Sequence, residues 1–457
     1  MTQLLIIGGS DAGISAALKA KELAPETQVT IILADAYPNF SICGLPFFLS
    51  GEVADWKNLA HRSREEITQL GITLLINQTA TSINPSERTV TTVNSEGKIH
   101  QLNYDKLVIA TGATSSQPKI AGLDHPGVYF LRWMGDSFAV HQHLTQLNPQ
   151  SALIIGGGYI GMEMADALTL RGLKATVVEH SPTVLKTVAP SLGQIVATEL
   201  QHRGVNVVTG VAIETILEQN KQLNITGSAG FQSTADLVLV AVGATPNVEL
   251  AQTAGVELGI GSAIKVNRYM ETNISHIYAA GDCVETWHRL LDKPVYLPLG
   301  TTAHKQGRIA GENALGGSRQ FAGSLGTQVV KIFDLAIART GLRENEAAAA
   351  GFKPTTVETK TWHHKAYYPG AHQLIILVTG DLNTGRLLGA QVLGHYQAEV
   401  AKRIDIFATA IYHGMKVWDV ENLDLSYTPP LSSPFDPVQM STQAWCQEQK
   451  LTLVGNR

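Results

Sequence analysis

Short apolar runs followed by glycine-rich turns mark the start of the chain. Leu4–Ile7 is a continuous apolar run, a glycine turn follows, and Ile14–Leu23 carries Ala and Leu at helical spacing before the second apolar run, Val29–Leu33. Continuous apolar runs are typical of strands that are buried on both faces. The pattern therefore predicts a βαβ unit.

A second unit of the same kind begins at Ser151. Ala152–Ile155 is apolar, a glycine turn follows, Ile160–Arg171 has a helical pattern, and Lys174–Val178 leads into Glu179. We predict from this internal repeat that the chain contains two nucleotide-binding folds.

The pattern of apolar and polar residues changes from about Gly323 onwards. Alternating strands such as Gln328–Phe333 and Gln373–Thr379 occur there without another phosphate-type turn, and a Pro-rich stretch runs from Tyr427 to Pro437. We predict a separate α+β domain. The fold class is thus α/β, with two Rossmann-like dinucleotide-binding domains and a C-terminal α+β domain.

Composition narrows the class of protein. The chain has 457 residues, 44% apolar and 16% charged, which is a globular profile. A net charge of -5 argues against a nucleic-acid partner, which needs a basic face. No apolar run reaches the roughly 20 residues that span a bilayer. No basic residue precedes Leu4–Ile7, so we read it as a strand and expect a cytoplasmic protein.

The three cysteines, Cys43, Cys283 and Cys446, do not make a disulfide framework or a zinc site. His363 and His364 are adjacent, and on a strand adjacent side chains point to opposite faces. No metal is predicted. We expect Cys283 to be a core residue and Cys446 to be structural.

The turn from Gly156 to Gly161 reads G-x-G-x-x-G between a strand and a helix. Glycine is needed where the turn is tight, where the backbone approaches a pyrophosphate, and where the helix packs on the strand. Glu179 ends the next strand and can hydrogen-bond a ribose 2′-hydroxyl, which favours NADH over NADPH.

The first turn is less regular. It runs from Gly8 to Gly13, and Ser10 stands where the middle glycine is expected. Serine is small enough to let a pyrophosphate approach. Asp35 follows the second strand and is the candidate for the ribose of this nucleotide, although it could equally cap or turn the chain.

Three further segments carry a family resemblance. Leu107–Gly112 reads LVIATG, Ile277–Asp282 reads IYAAGD, and Gly243–Asn247 reads GATPN. Over essentially the whole chain, this set resembles the FAD- and NAD(P)-dependent pyridine nucleotide–disulfide oxidoreductases. The resemblance implies FAD, a nicotinamide cofactor and a homodimer. It implies an FAD-binding domain at 1–115 and 246–320, an NAD(P)H-binding domain at 116–245 and a dimerisation domain at 321–457.

The motifs and the resemblance together assign two sets of cofactor residues. For FAD they are Gly8, Ser10, Asp11, Ala12, Gly13, Asp35, Ala110, Thr111, Gly112, Gly281, Asp282 and Ala303. For NAD(P)H they are Gly156, Gly158, Tyr159, Ile160, Gly161, Glu179 and Gly243. In the family, the helix that includes His304 aims its N-terminus at the flavin.

The segment around Cys43 indicates the branch of the family. Relatives with an internal redox disulfide have C-x-x-x-x-C, but the matching position here is Phe48. The chain therefore resembles the single-cysteine branch, which contains coenzyme A disulfide reductases, NADH oxidases, NADH peroxidases and sulfur reductases. Pro46 near a helix start predicts that Cys43 lies at a helix N-terminus, with a lowered pKa.

Two tyrosine segments most resemble the coenzyme A disulfide reductases, in which tyrosines of the partner subunit reach the cysteine. We carry that role onto Tyr427 and onto one of Tyr367 and Tyr368; interface packing is the alternative role. Oxidases and peroxidases usually carry a histidine where this chain has Asp11, and a carboxylate there would repel a sulfenate.

The expected activity is transfer of electrons from NAD(P)H through FAD and Cys43 to a low-molecular-weight disulfide such as coenzyme A disulfide. An NADH oxidase or peroxidase, or a polysulfide or persulfide reductase, using the same cysteine is the alternative. A third hypothesis is a flavoprotein that relays electrons to a protein partner. Basic residues that could hold an anionic substrate are Lys19, Lys21, Arg62 and Arg64.

Overall fold

The computed structural model describes residues 2–220 and 222–455. Its first sheet is parallel. The strands, from one edge to the other, are Ile277–Ala279, Lys106–Ile109, Gln3–Ile7, Gln28–Ile32 and Ile72–Leu75. Because the strand after residue 270 adds to strands from the first 110 residues, this domain is built from two stretches of chain.

A second parallel sheet repeats this design. Its strands are, in order, Asn206–Thr209, Lys174–Glu179, Ser151–Ile155, Leu237–Val240 and Val128–Phe130. Its helices are Met134–Gln146, Tyr159–Leu170 and Pro190–His202. Both central strands are almost entirely buried, which explains their unbroken apolar sequences.

The C-terminal part is an antiparallel sheet with helices packed against it. The strand order is Gln328–Ile332, Leu335–Gly341, Leu387–His395, Gln373–Asp381 and Pro354–Trp362. The helices are Glu344–Ala349, Val400–Tyr412, Val417–Glu421 and Pro437–Gly455. The predicted fold class is confirmed, while the exact domain limits stay predictions.

Smaller elements complete the fold. Two three-stranded sheets are formed by Gln78–Asn84, Thr89–Asn94 and Ile99–Asn103, and by Ile213–Gln219, Gln222–Gly227 and Phe231–Ala235. Two-stranded ribbons pair Ala113–Ser115 with Ala244–Pro246, and Thr286–His288 with Lys293–Val295. The other helices are Asp11–Leu23, Leu45–Ser50, Arg64–Gln69, Glu249–Thr253 and Gly300–Ala314. Short 3-10 turns are Ile42–Gly44, Trp56–Leu59, Ser228–Gly230, Ile260–Ser262 and Tyr396–Ala398.

Candidate active site

The two glycine turns have the same backbone construction. Gly8 and Gly156 both have φ +110°, and a Cβ at either would collide with a carbonyl oxygen of the neighbouring strand end, that of Ala110 or Ala241. Only glycine accepts this conformation and this approach. Each turn then leads directly into a helix, of 13 and 12 residues.

The first turn has unused polar capacity that fits FAD. The helix Asp11–Leu23 begins after Ser10, which makes no side-chain cap hydrogen bond, so the first turn's N–H groups can meet a pyrophosphate. Asn39 donates its backbone N–H to the Gly9 carbonyl at 2.9 Å. The Asn39 side chain is buried, and its Oδ1 has no partner among the described residues. A ligand hydroxyl would satisfy it.

The second turn is closed by Glu179. Its Oε2 accepts from the Gly157 N–H at 2.6 Å and its Oε1 from the Ser181 N–H at 2.8 Å. Burial is the largest single influence and acts to raise the pKa of the Glu179 carboxyl. These hydrogen bonds and nearby His180 together outweigh burial, so the pKa is lowered overall. No atom lies within 4 Å of where a Cβ on Gly158 would stand, which leaves room for a dinucleotide.

Strand register shows why the first turn lacks such a carboxylate. Ile7 pairs with Ile32, as Ile155 pairs with Val178, so Leu33 occupies the position that Glu179 has in the second domain. Asp35 lies two residues further on, and its Oδ1 accepts from the Tyr37 N–H at 3.0 Å. Burial raises the pKa of Asp35. Asp35 thus turns the chain, and its role toward a ribose stays a prediction.

Two of the three family motifs, LVIATG and GATPN, meet in space. Thr111 Oγ1 donates to the Asn247 carbonyl at 2.6 Å, and Asn247 Nδ2 donates to the Thr111 carbonyl at 2.9 Å. The Asn247 N–H also donates to the Gly112 carbonyl at 3.0 Å. LVIATG and GATPN are therefore locked together, although 136 positions separate them. Gly243 lies beside this junction, since its carbonyl accepts from the Ser116 N–H.

IYAAGD joins the first helix from the other side. A Cβ on Gly281 would be 2.8 Å from that of Ala12 and 3.8 Å from that of Ala303. Asp282 forms an ion pair with Arg132, which sequence reasoning missed. The available signal was a basic residue between the strand Val128–Phe130 and the helix Met134–Gln146.

Asp11 faces the helix Gly300–Ala314. His304 Nε2 lies 3.3 Å from Asp11 Oδ1, and His304 Nδ1 lies 2.8 Å from Ser15 Oγ. The hydrogen bond that His304 donates to Asp11 raises the pKa of His304. The structure therefore gives His304, whose role was open from sequence, a carboxylate partner.

Cys43 lies in the turn Ile42–Gly44, just before the helix Leu45–Ser50. The residue is exposed in the single chain, yet protein crowds one side of the thiol. Burial on that side, followed by the carboxylates of Glu163 and Asp11, raises its pKa. The prediction of a lowered pKa is therefore wrong for the protein groups alone, because burial and the neighbouring carboxylates raise it.

Glu163 is a second group that sequence reasoning missed. It lies on the helix Tyr159–Leu170 and lines a narrow cleft with Pro46 and Phe47, from the Cys43 helix, and Lys331. Burial and the neighbouring Asp166 raise the pKa of Glu163 to about 7, and Lys331 opposes them. The position of Glu163 in the helix after the G-x-G-x-x-G turn did not indicate that its carboxyl would lie near Cys43.

The remaining residues that were predicted to bind the two nucleotides lie at the starts of the two helices that follow the glycine turns. Gly13, Gly161, Tyr159 and Ile160 begin the two helices, and the Tyr159 hydroxyl accepts from Thr187 Oγ1 at 3.2 Å. Burial raises the pKa of Tyr159. Ile160 is exposed at the mouth of the second turn.

The candidate tyrosines lie on the surface of the C-terminal domain. Tyr367, Tyr368 and Tyr427 are all exposed. The Lys365 N–H donates to the Pro429 carbonyl at 3.3 Å, which ties the two tyrosine segments together.

His363 and His364 do not diverge as predicted. They follow the strand Pro354–Trp362 instead of belonging to it, and their rings lie 4.1 Å apart. Across the described part of the chain, no group of three or more His, Cys, Asp or Glu has a metal-binding arrangement. Nor does any helix there have the length and apolarity to cross a membrane. Cys283 is fully buried, as predicted, and Cys446 packs half-buried against the C-terminal core.

Two dinucleotide folds around one cysteine define a class, the NAD(P)H-linked flavoprotein oxidoreductases. The pyridine nucleotide-disulphide oxidoreductase model matches residues 2–307, and the dimerisation domain of the same family matches residues 327–437. The chain belongs to this family, and it is an FAD-dependent oxidoreductase that takes electrons from NADH or NADPH.

Proteins of known activity are similar to this chain over nearly its whole length. The chain is 36% identical to the NAD(P)H sulfur oxidoreductase (CoA-dependent) of Pyrococcus furiosus, over 95% of this chain and 97% of that protein. It is 29% identical to the coenzyme A disulfide reductase of Staphylococcus haemolyticus, over 96% and 98%. Among solved structures, the NAD-dependent persulfide reductase of A. fulgidus matches with a TM-score of 0.94 and 36% identity, over 98% of this chain and 83% of that one.

Proposed function

We propose that the protein reduces a low-molecular-weight disulfide, coenzyme A disulfide or a related thiol compound, with electrons from NAD(P)H that pass through FAD and Cys43. The observation that carries this proposal is the position of Cys43. It stands exposed beside the first glycine turn and Asp282, with Phe48 where a second cysteine would be needed for an internal disulfide.

A basic loop next to the cysteine segment favours a substrate that carries negative charge away from its reacting sulfur. The Ser41 N–H donates to the Leu59 carbonyl at 2.8 Å, and the His61 N–H donates to the Asn39 carbonyl at 2.9 Å. These bonds hold an exposed basic loop against the cysteine segment; its basic residues are Lys57, His61, Arg62 and Arg64. Phosphate groups on a thiol substrate would find their counter-charges here.

Lys19 and Lys21 fit this role less well. Lys19 Nζ donates to Glu22 Oε1 at 2.7 Å, and Lys21 Nζ donates to the carbonyls of Pro25 and Thr27 at 2.9 and 2.7 Å. Both ammonium groups are already engaged, which leaves Arg62 and Arg64 as the better candidates.

Bound FAD supplies hydride acceptance from NAD(P)H and two-electron delivery to sulfur. The chain's residues do the rest. Asp282 and Ala303 hold the flavin side of the site, and Glu179 holds the nicotinamide nucleotide. The Cys43 thiolate attacks one sulfur of the substrate disulfide, forming a mixed disulfide and expelling one substrate thiolate, which takes a proton from Tyr427 or Tyr368. Two electrons then cleave the mixed disulfide, which returns the Cys43 thiolate and releases the second thiol after protonation by solvent.

A polysulfide or persulfide reductase is the second candidate. The similarity to proteins named for sulfur and persulfide reduction favours it, and the same exposed thiol would serve. The oxidase or peroxidase alternative is less favoured, because Asp11 beside Cys43 opposes a further negative charge.

The test is anaerobic consumption of NADH or NADPH with coenzyme A disulfide, glutathione disulfide or polysulfide, using wild type, Cys43→Ser and the control Cys446→Ser. We expect rapid reduction of one disulfide, no turnover by Cys43→Ser, and normal turnover by Cys446→Ser. Turnover with oxygen or a protein acceptor alone, or retained activity in Cys43→Ser, contradicts the proposal.

Two further properties belong to this proposal. The family's dimerisation domain supports a homodimer in which Tyr427 and Tyr368 serve the other subunit's site. A cytoplasmic location is supported by the three cysteines, which form no disulfide with one another.

A further inference from the structure

The loop that carries Tyr367 and Tyr368 is closed by two histidines. The strands Pro354–Trp362 and Gln373–Asp381 are antiparallel, and Trp362 pairs with Gln373. One position further, the His363 N–H donates to the His372 carbonyl at 3.0 Å. The His372 N–H donates to His363 Nδ1, also at 3.0 Å. The loop 363–372 thus begins and ends on imidazole residues.

These histidines belong to a continuous row of six rings. The distances between successive ring centroids are 5.7, 4.1, 5.8, 4.0 and 4.9 Å along Tyr368, His364, His363, His372, His395 and Tyr396. His372 and His395 are stacked with only 4° between their planes. Side-chain packing therefore connects an exposed tyrosine of the loop to the end of the strand Leu387–His395.

The inner part of the row is buried beside a cation. His363 and His364 are 7% and 5% exposed, and Arg403 is 2% exposed. Arg403 Nη2 donates to the His363 carbonyl at 2.8 Å and to Asp436 Oδ2 at 3.2 Å. Asp436 in turn accepts from Ser432 Oγ at 2.7 Å, so its charge is already matched.

We propose that this row of four histidines, His363, His364, His372 and His395, positions the Tyr367–Tyr368 loop for the active site, and that the loop is held only while His363 Nδ1, which accepts from the His372 N–H, is unprotonated. The proposal rests on the proposed function, because the loop's tyrosine is taken to serve Cys43 of the partner subunit. The histidines are positioning residues that act through Tyr368.

The charges around the row support this dependence on protonation. The charged groups nearest the row are Arg403, which donates to the His363 carbonyl and pairs with Glu399 and Asp436, and Asp334, which faces His395. Lys365 follows His364 in the loop itself. Burial, with smaller contributions from His364 and Arg403, lowers the pKa of His363 to about 4 against the opposing effect of the backbone bond to His372. Burial and His372 also lower the pKa of His395.

The sign of the pH effect follows from these directions. A histidine whose pKa is lowered in the folded state favours its neutral form there. As the pH falls below the ordinary value of 6.5 toward about 4, holding His363 uncharged in the loop costs progressively more. Above pH 6.5 this cost disappears, so the loop is expected to be held at neutral and alkaline pH and released in acid.

The experiment compares His363→Phe and His363→Ala in the FAD-loaded dimer. Phenylalanine keeps a ring in the row but cannot be protonated, and alanine breaks the row. Hydrogen exchange of a peptide covering 363–372 is measured for each protein at a pH of about 7.5 and about 5, on either side of the ordinary imidazole pKa. His413→Phe, which replaces a histidine of the same domain outside the row, is the control.

We expect protection of this peptide, corrected for the intrinsic exchange rate, to fall in acid in wild type and His413→Phe, and to fall much less in His363→Phe. His363→Ala should lack protection at both pH values. An equal fall in wild type and His363→Phe overturns the proposal. If His363→Ala does not fold, the comparison of wild type with His363→Phe still decides.

Disulfide reduction is measured in the same samples. A lower kcat for His363→Ala with unchanged KM for NADH, and an acid limb displaced to lower pH in His363→Phe, is the expected result. If exchange behaves as expected but no disulfide is reduced by any variant, the proposed function fails and the histidine row stands. If turnover follows pH identically in wild type and His363→Phe, the positioning role fails.

Discussion

Cys43 is surrounded by carboxylates whose charge opposes its thiolate. Burial is the largest influence that raises its pKa, Glu163 and Asp11 raise it further, and Arg132, already paired with Asp282, is the opposing cation. Ionisation of Cys43 is therefore coupled to ionisation of Glu163. The pKa of Glu163, about 7, means that Glu163 gains or loses its proton near neutral pH. The thiolate forms more readily when Glu163 carries a proton.

Glu163→Gln tests this coupling. Removing the charge should lower the pKa of Cys43, so alkylation by iodoacetamide should become faster at neutral pH and its pH profile should move toward acid. The measurement is the alkylation rate of Cys43 across pH, with Glu65→Gln, an exposed residue of a surface helix, as the control. A profile equal to that of wild type, or one displaced to alkaline pH, counts against the coupling.

Glu179→Gln tests the nicotinamide site. A glutamine accepts from the Gly157 and Ser181 N–H groups less strongly than a carboxylate does, and it also binds a ribose hydroxyl less strongly. The KM for NADH should therefore rise roughly tenfold, which corresponds to the loss of one hydrogen bond to a charged acceptor. The KM for NADPH should rise less, because repulsion of a 2′-phosphate is removed. Steady-state kinetics with both cofactors and Glu214→Gln as control measure this; an equal rise for both argues against ribose recognition by Glu179.

At the scale of elements, the site depends on two helices in close contact. The helix Gly300–Ala314 presents Gly307 and Gly311 to the helix Asp11–Leu23, where a Cβ would collide with the carbonyls of Ala12 and Ala16. This approach sets the distance between the first glycine turn and Ala303. The flavin site is thereby fixed by backbone contact rather than by side chains.

Gly311→Ala should force these helices apart. Overpacking of this kind costs about 1–3 kcal/mol, and we expect a lower melting temperature and weaker retention of FAD during gel filtration. Gly135→Ala is the matched control, since no atom lies within 4 Å of its Cβ position in the helix Met134–Gln146. Equal FAD content and melting temperature in Gly311→Ala and Gly135→Ala contradict the prediction.

At the scale of the whole molecule, the C-terminal domain is linked to the nucleotide domains by specific polar contacts. Asp166 of the second domain accepts from the Phe333 N–H at 2.8 Å and pairs with Lys331 at 3.2 Å. Arg339 Nη1 donates to the Thr187 carbonyl, and Gln391 Oε1 accepts from the Ala189 N–H at 2.6 Å. These contacts orient the surface that carries Tyr367, Tyr368 and Tyr427.

Hybrid dimers test whether the tyrosines act across subunits. A chain with Cys43→Ser is co-expressed with a differently tagged chain carrying Tyr368→Phe and Tyr427→Phe. One of the two sites in the hybrid then has both an intact cysteine and intact tyrosines, so we expect about half of the wild-type activity from two nearly inactive parents. Activity no higher than that of the parents, or a monomeric enzyme with full activity, rules out tyrosines supplied in trans.

The sequence by itself determined the nucleotide folds and the family. Apolar strand runs, glycines with no tolerable substitute, and Glu179 at a strand end are local patterns, and each has one physical reading. Cys43 and the absence of a second thiol at Phe48 were equally local. The branch and the role of the tyrosines came from resemblance, and they stay proposals.

Only the tertiary structure decided the electrostatics. Arg132 reaches Asp282 across 150 positions, and Glu163 approaches the Cys43 helix from another domain. The pKa of Cys43 was predicted in the wrong direction, because the helix start was visible in the sequence, whereas the burial of the thiol and the approach of Glu163 were not. Likewise, His363 and His364 contact each other because the strand ends at Trp362, and strand ends depend on the pairing partner rather than on the local sequence.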